Sequence, residues 1–194
     1  MIQENTSMKT ILKIAFPYFS DYIVLTAASF ADYAHGVKDQ KRKFTDENYI
    51  VHPIAVGKTL QEYGFDAEVV TAGILHDVLE DTDFTSGIIK RKFGERVLSL
   101  VEMVTNIAPS HLTRKEKFRI NLDHLKGSNI DAKNIKLADI KDNLTEFRYY
   151  SDSYKKLYFR EKNTVIEEAL YDADLRLLND VRNIFIEANE QFTF

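Results

Sequence analysis

The chain has 194 residues, 44% of them hydrophobic, with 7 glycines and 3 prolines, a length and composition that suit one compact folded unit. Its formal net charge of -4 argues against a general nucleic-acid binder, whose phosphate contacts need a basic surface. There is no cysteine, which removes disulfides, thiolate nucleophiles and cysteine-ligated zinc, so any metal must rest on His, Asp, Glu or Asn.

Residues 11–34 are rich in apolar side chains, but Lys13, Pro17, Asp21 and Asp32 interrupt them well short of the roughly 18 residues a membrane span requires. Pro17 and Asp21 also break the run before any signal-peptide cleavage pattern. The expectation is a cytoplasmic chain with no membrane or nucleic-acid partner; a homo-oligomer is compatible with the sequence. Apolar residues recur at helical spacing nearly throughout, and no stretch sustains strand alternation. The fold class is therefore all-α: one helical bundle over residues 1–194, with a core over about 20–160 and carboxy-terminal helices over about 164–194.

In chain order, the spacing predicts a helix over residues 20–34 that buries Ile23, Leu25, Ala28 and Phe30, with Gly36 as its stop. The polar run 38–48 reads as a loop. A helix over 49–63 follows, with His52 beside Pro53 in its first turn and Gly64 closing it. Residues 67–79 are apolar almost all round through Val69, Val70, Ala72, Ile74, Leu75, Val78 and Leu79, the pattern of a central buried helix. Ser86 is placed to cap a helix ending at Phe93, and 95–104 is amphipathic. Residues 106–113, with Pro109, form the longest loop, and 115–126 a charged, exposed helix closed by Gly127. Helical spacing returns over 132–147 and from 154 onward. The aromatic and basic stretch 147–160 could stack on single-stranded nucleic acid, but Asp152 and Glu161 interleave with it and favour an amphipathic helix. His111 and His124 read as surface residues.

The chemistry gathers at the end of the most apolar helix, which carries His76, Asp77, Glu80 and Asp81. Acids at a helix carboxy terminus cost roughly 0.3–1 kcal/mol each, and a bound cation would reverse the sign. Asp139 stands among Ile135, Leu137, Ala138 and Ile140, with Asn143 one turn later on the same face; a carboxylate in such a setting must be paired or coordinating. His52 supplies a third element. Two imidazoles and two carboxylates make a mixed N/O site suited to manganese, ferrous iron, zinc or magnesium, with a nearby acid such as Glu80 to manage protons. Each residue also has a plainer reading: Asp139 as the partner of Lys136 or Lys141, and His52 as a helix cap. The combination is what favours the metal.

These residues fall in the stretches DQKRK (39–43), YIVHP (49–53), GILHDVLEDTDFT (73–85), FGERVLSLVEMVT (93–105) and KLADIKDNL (136–144). In that order they resemble the HD superfamily, and within it the alarmone hydrolase domain of the RelA/SpoT homologues. The resemblance implies an HD-domain helical bundle in which His52, His76, Asp77 and Asp139 hold manganese and Glu80 and Asp81 position or activate the attacking water. It further implies that Arg42, Lys43, Asn143 and Tyr158 contact a guanine nucleotide. The implied reaction is metal-dependent hydrolysis of the 3′-pyrophosphate of ppGpp or pppGpp by a small, hydrolase-only protein. Three departures from the family pattern point to alternatives. Ile140 stands where a basic residue usually follows the LAD aspartate, Val37 stands where a histidine is common, and residues 105–115 replace a basic loop. The alternatives are an HD phosphohydrolase acting on another, for example 3′-phosphorylated, nucleotide, and a nucleotide-binding module without turnover.

Overall fold

The fold is a computed structural model describing Ala15 and residues 17–192; residues 11–14 and 16 of the amino-terminal apolar stretch lie outside the described residues. The helices are α1 (Tyr22–Gly36), α2 (Val51–Glu62), α3 (Ala67–Leu75), α4 (Val78–Asp81), α5 (Ser86–Phe93), α6 (Glu95–Val104), α7 (Arg114–Lys126), α8 (Ile130–Thr145), α9 (Asp152–Ala169) and α10 (Leu175–Phe192), with a 3-10 turn at Phe147–Tyr149. Among the described residues there is no strand; a single bridge, Lys41 to Asn48, ties the ends of the loop after α1. The all-α expectation is met.

Helix α3 is the hub, packed against α1, α2, α6 and α8, and every residue from Val69 to Leu75 is buried. Asp66 starts it by accepting from the amides of Glu68 and Val69, which satisfies two of the donors a helix leaves free at its first turn. Close packing onto α2 depends on two glycines. A Cβ at Gly73 would lie 2.3 Å from Leu60 Cδ1, and one at Gly57 would lie 2.6 Å from Ile74 Cγ1. The absence of a side chain there draws together the two helices that carry His52 and His76.

Several expected boundaries move. The helix read over 67–79 stops at Leu75, and a separate turn of helix begins at Val78. At the break, the His76 ring bonds through Nδ1 to the Gly73 carbonyl at 2.8 Å, the acceptor that a continuous helix assigns to the Asp77 amide. Glu80 and Asp81 consequently lie in a separate single turn of helix, α4, and not at the end of one long helix. Gly36 is the last residue of α1, with Val37 beyond it as cap. The buried stripe of α1 is Val24, Ala27, Ala28, Ala31 and Ala34, while Ile23, Leu25 and Phe30 are only partly buried, because small residues let α1 approach α3 closely. Thr85 takes the capping position assigned to Ser86. Thr113 and Glu116 close a reciprocal capping box on α7, which buries Leu122 and Leu125 instead of lying wholly exposed. Asn129 starts α8 earlier than expected, and the carboxy-terminal helix is divided between Leu170 and Asp174.

Candidate metal and nucleotide site

The helix termini and the face of α8 bring His52, His76, Asp77 and Asp139 to one point. His52 is in the first turn of α2, His76 and Asp77 occupy the break between α3 and α4, and Asp139 faces inward from the middle of α8. Ligand atoms of His52, His76 and Asp77 all lie within 4.8 Å of one another. Asp139 Oδ1 is 3.4 Å from His52 Nε2 and 3.8 Å from His76 Nε2. Three of the four are buried, and Asp77 is partly so.

Hydrogen bonds fix which nitrogen each ring offers. His52 Nδ1 is 2.6 Å from Asp142 Oδ2, and His76 Nδ1 is committed to the Gly73 carbonyl. Both rings therefore carry their proton on Nδ1 and direct a lone pair from Nε2. These two Nε2 atoms face each other at 3.3 Å, with carboxylate oxygens of Asp77 at 3.0 and 3.7 Å. Acceptors converging in a buried space repel unless something positive stands between them. Burial pulls the His52 imidazole down, but the Asp139 and Asp142 carboxylates outweigh it and push the pKa up to about 9. Without a cation, the cluster fills that need with a proton. Asp139 and Asp77 are held well below the usual carboxylate range despite burial, Asp139 chiefly by Lys136 and Asp77 chiefly by His76. An all-N/O set of ionised carboxylates and neutral imidazoles fits a divalent cation, and the cluster can hold one.

The surrounding groups are specific. Tyr49 donates its hydroxyl to Asp77; burial and the Asp77 charge raise the phenol far above its normal range, so it stays a donor. Lys136 sits 2.7 Å from Asp139 Oδ2, so the pairing considered from sequence is present and coexists with the cluster, each Asp139 oxygen serving a different neighbour. Asn143 donates to Asp139 Oδ1. Glu80 is exposed at the rim and accepts from the Asn106 backbone and side chain at 3.1 and 2.8 Å. Asp81 accepts from Gln40 Nε2 at 2.8 Å, and Gln40 Oε1 in turn is 2.7 Å from His35 Nδ1.

The chain matches the HD-domain family over residues 27–157. It belongs to that family. Among curated relatives, the guanosine-3′,5′-bis(diphosphate) 3′-pyrophosphohydrolase MESH1 of Xenopus tropicalis is 33% identical over 75% of this chain and 83% of its own length. The enzyme of that name from Aquifex aeolicus is 54% identical over 42% of this chain, which covers only 11% of that much longer protein. The solved structure of a metazoan ortholog of SpoT, said to hydrolyse ppGpp, superposes with a TM-score of 0.78 at 28% identity, covering 87% of this chain and 97% of that one.

Within this HD domain the residues expected at the nucleotide are differently disposed. Arg42 is buried, with its guanidinium 2.7 Å from Glu146 and 3.1 Å from Asp142. It also borders a cleft lined by Thr45, Val51, Arg148 and Tyr149. Lys43 is exposed, its ammonium 5.3 Å from both the Phe44 and Tyr154 ring centres. Tyr158 is buried, and its hydroxyl has no hydrogen-bond partner among the described residues. His124 is half-buried and bonded to the Glu102 carbonyl at 3.1 Å, against the surface expectation, whereas His111 is exposed. Sequence reading passed over Tyr49, Gln40, Asn106 and Asp142 as second partners of the cluster. Asp142 was the most findable, since three residues after Asp139 it shares that face of α8. No described helix is long and apolar enough to cross a membrane.

Proposed function

We propose that this HD domain hydrolyses ppGpp and pppGpp, releasing pyrophosphate and GDP or GTP. The observation that carries the reading is the likeness to a solved chain said to hydrolyse ppGpp over 97% of that chain's length. A divalent cation at His52, His76, Asp77 and Asp139, taken as Mn2+, supplies Lewis-acid polarisation of a phosphoryl oxygen and a lowered pKa for bound water. The reaction joins a water oxygen to the 3′-phosphorus, breaks the bond from that phosphorus to the ribose oxygen, and returns a proton to the ribose oxygen. Glu80, steadied by two bonds from Asn106, accepts the proton of the attacking water; Asp81, fixed by Gln40, orients that water. Arg42 has its N–H groups engaged by acids, so it offers the nucleotide base its flat face. Lys43, Asn143 and Tyr158 complete the nucleotide contacts.

A second reading, another 3′-phosphorylated nucleotide as substrate, is favoured by the altered loop at 105–115. The departure at Ile140 carries less weight, because that side chain is fully buried in the core and faces no substrate. The test is purified protein with ppGpp and manganese, following pyrophosphate and GDP, beside a chelator control and a panel of 3′-phosphorylated nucleotides. Chelator-sensitive release from ppGpp is the expected result. Bound metal with release only from another nucleotide would move the substrate, and no release from any would favour a binding module.

A further inference from the structure

Beside the metal cluster, between α6, α7, α8 and α9, lies a cavity of about 120 Å³ lined by Met103, Asn106, Asn121, His124, Lys136 and Lys162 among others. Its charges do not balance. Glu161, the acid in its wall, is taken by Arg114 through two bonds of 2.9 and 2.8 Å. Lys136 is committed to Asp139, and Glu80 at the neighbouring rim receives Asn106. Lys162 has no ion pair among the described residues; its ammonium lies 5.5 Å from the centre of the Tyr158 ring. A lysine that merely lies along an apolar surface carries its ammonium out to water. Lys162 is instead only partly exposed, and desolvation, together with the neighbouring Lys136 charge, lowers its pKa to about 8. Lys136 and Lys162, both partly buried, thus line one pocket with no acid left to neutralise Lys162. An anion with several acceptor oxygens would satisfy both ammonium groups.

We propose that Lys162 and Lys136 form an anion subsite for the outer phosphate of the substrate's 3′-diphosphate, and that the same subsite retains the pyrophosphate product. This rests on the hydrolase reading for its substrate, while the subsite can be tested without turnover. Lys136 joins the two places: its ammonium is 2.7 Å from the Asp139 oxygen that points away from the imidazoles. A diphosphate with one phosphate at the cluster therefore reaches this pocket with the next. Lys162 contributes charge at the substrate and is a specificity determinant for two linked phosphates over one.

The test measures binding of inorganic pyrophosphate and of GDP to the manganese-loaded full chain, with free manganese fixed by a metal buffer, in wild type, Lys162→Met, Lys162→Gln and Lys162→Arg. Loss of one charge-assisted contact should weaken pyrophosphate binding about tenfold or more in Met and Gln. Arg should retain most of it, and GDP affinity and metal content should not change. Equal pyrophosphate affinity in wild type and both neutral variants would overturn the subsite, as would loss of bound metal in those variants, since Lys162 would then act through the cluster. A wild type that turns over no ppGpp yet binds pyrophosphate through Lys162 would refute the hydrolase reading and leave the subsite standing.

Discussion

Gly73→Ala sets two effects of opposite sign against each other. Alanine is favoured over glycine in a helix by about 1 kcal/mol, so propensity alone makes the variant more stable. The added Cβ, however, would stand 2.3 Å from Leu60 Cδ1, closer by more than about 1 Å than carbon atoms pack at their optimum. Leu60 is fully buried, and Val56 Cγ1 is already 3.4 Å from the same point, so the leucine has little room to turn. Overpacking of this kind costs about 1–3 kcal/mol, and the severe contact places the case at the upper end. The net expectation is a loss of about 1–2 kcal/mol in urea unfolding, together with weaker metal binding, because α3 is pushed away from α2 three residues before His76. Gly87→Ala is the control: its nearest neighbour would be 3.9 Å away, so propensity should prevail, with no loss of stability. A Gly73→Ala protein as stable as wild type would refute the claim that contact between α2 and α3 sets the imidazole spacing.

Glu80→Gln should keep fold and metal while lowering ppGpp turnover by about 10²–10⁴; rates like those of wild type would remove Glu80 from proton transfer. His76→Ala and Asp139→Ala should each lose metal by elemental analysis, and full occupancy in both would refute the ligand assignment. Asp142→Ala frees the His52 ring to turn and should weaken metal affinity about 10–100-fold, read by competition with a chelator; unchanged affinity would mean that the 2.6 Å contact does no orienting. Lys162→Met should be more stable than wild type at pH 7, by up to about 3 kcal/mol. Below pH 8 the folded wild type carries a buried charge that its unfolded chain solvates. Above about pH 8 the folded chain sheds this proton while the unfolded chain keeps it to about 10.5, so the penalty fades and the advantage should shrink as pH rises through this window. A stability difference that stays flat across this window would contradict the burial of the Lys162 charge.

Helical spacing made the all-α architecture and the buried central helix legible, because the run of Val69, Val70, Ala72, Ile74 and Leu75 has no solvent face to spare. The break after Leu75 was not legible: Val78 and Leu79 continue the apolar pattern, and what ends the helix is a bond from the His76 ring to the backbone, which depends on where the ring points. That same bond selects the tautomer. The helix break and the free Nε2 lone pair are therefore one event, and the residue that appeared in sequence to belong to a helix end leaves the helix to face His52. Asp139 was legible as an anomaly, an acid among aliphatic residues. Its division between Lys136 on one oxygen and the imidazoles on the other was not, since it requires α2, α3 and α8 to be assembled first. Lys162 shows the limit most clearly. In sequence it is one cation in a charged amphipathic stretch, adjacent to a glutamate that would be its natural partner. Only when α7 brings Arg114 to Glu161 does Lys162 become surplus charge, and a surplus ammonium beside a cation site is what a diphosphate would recognise.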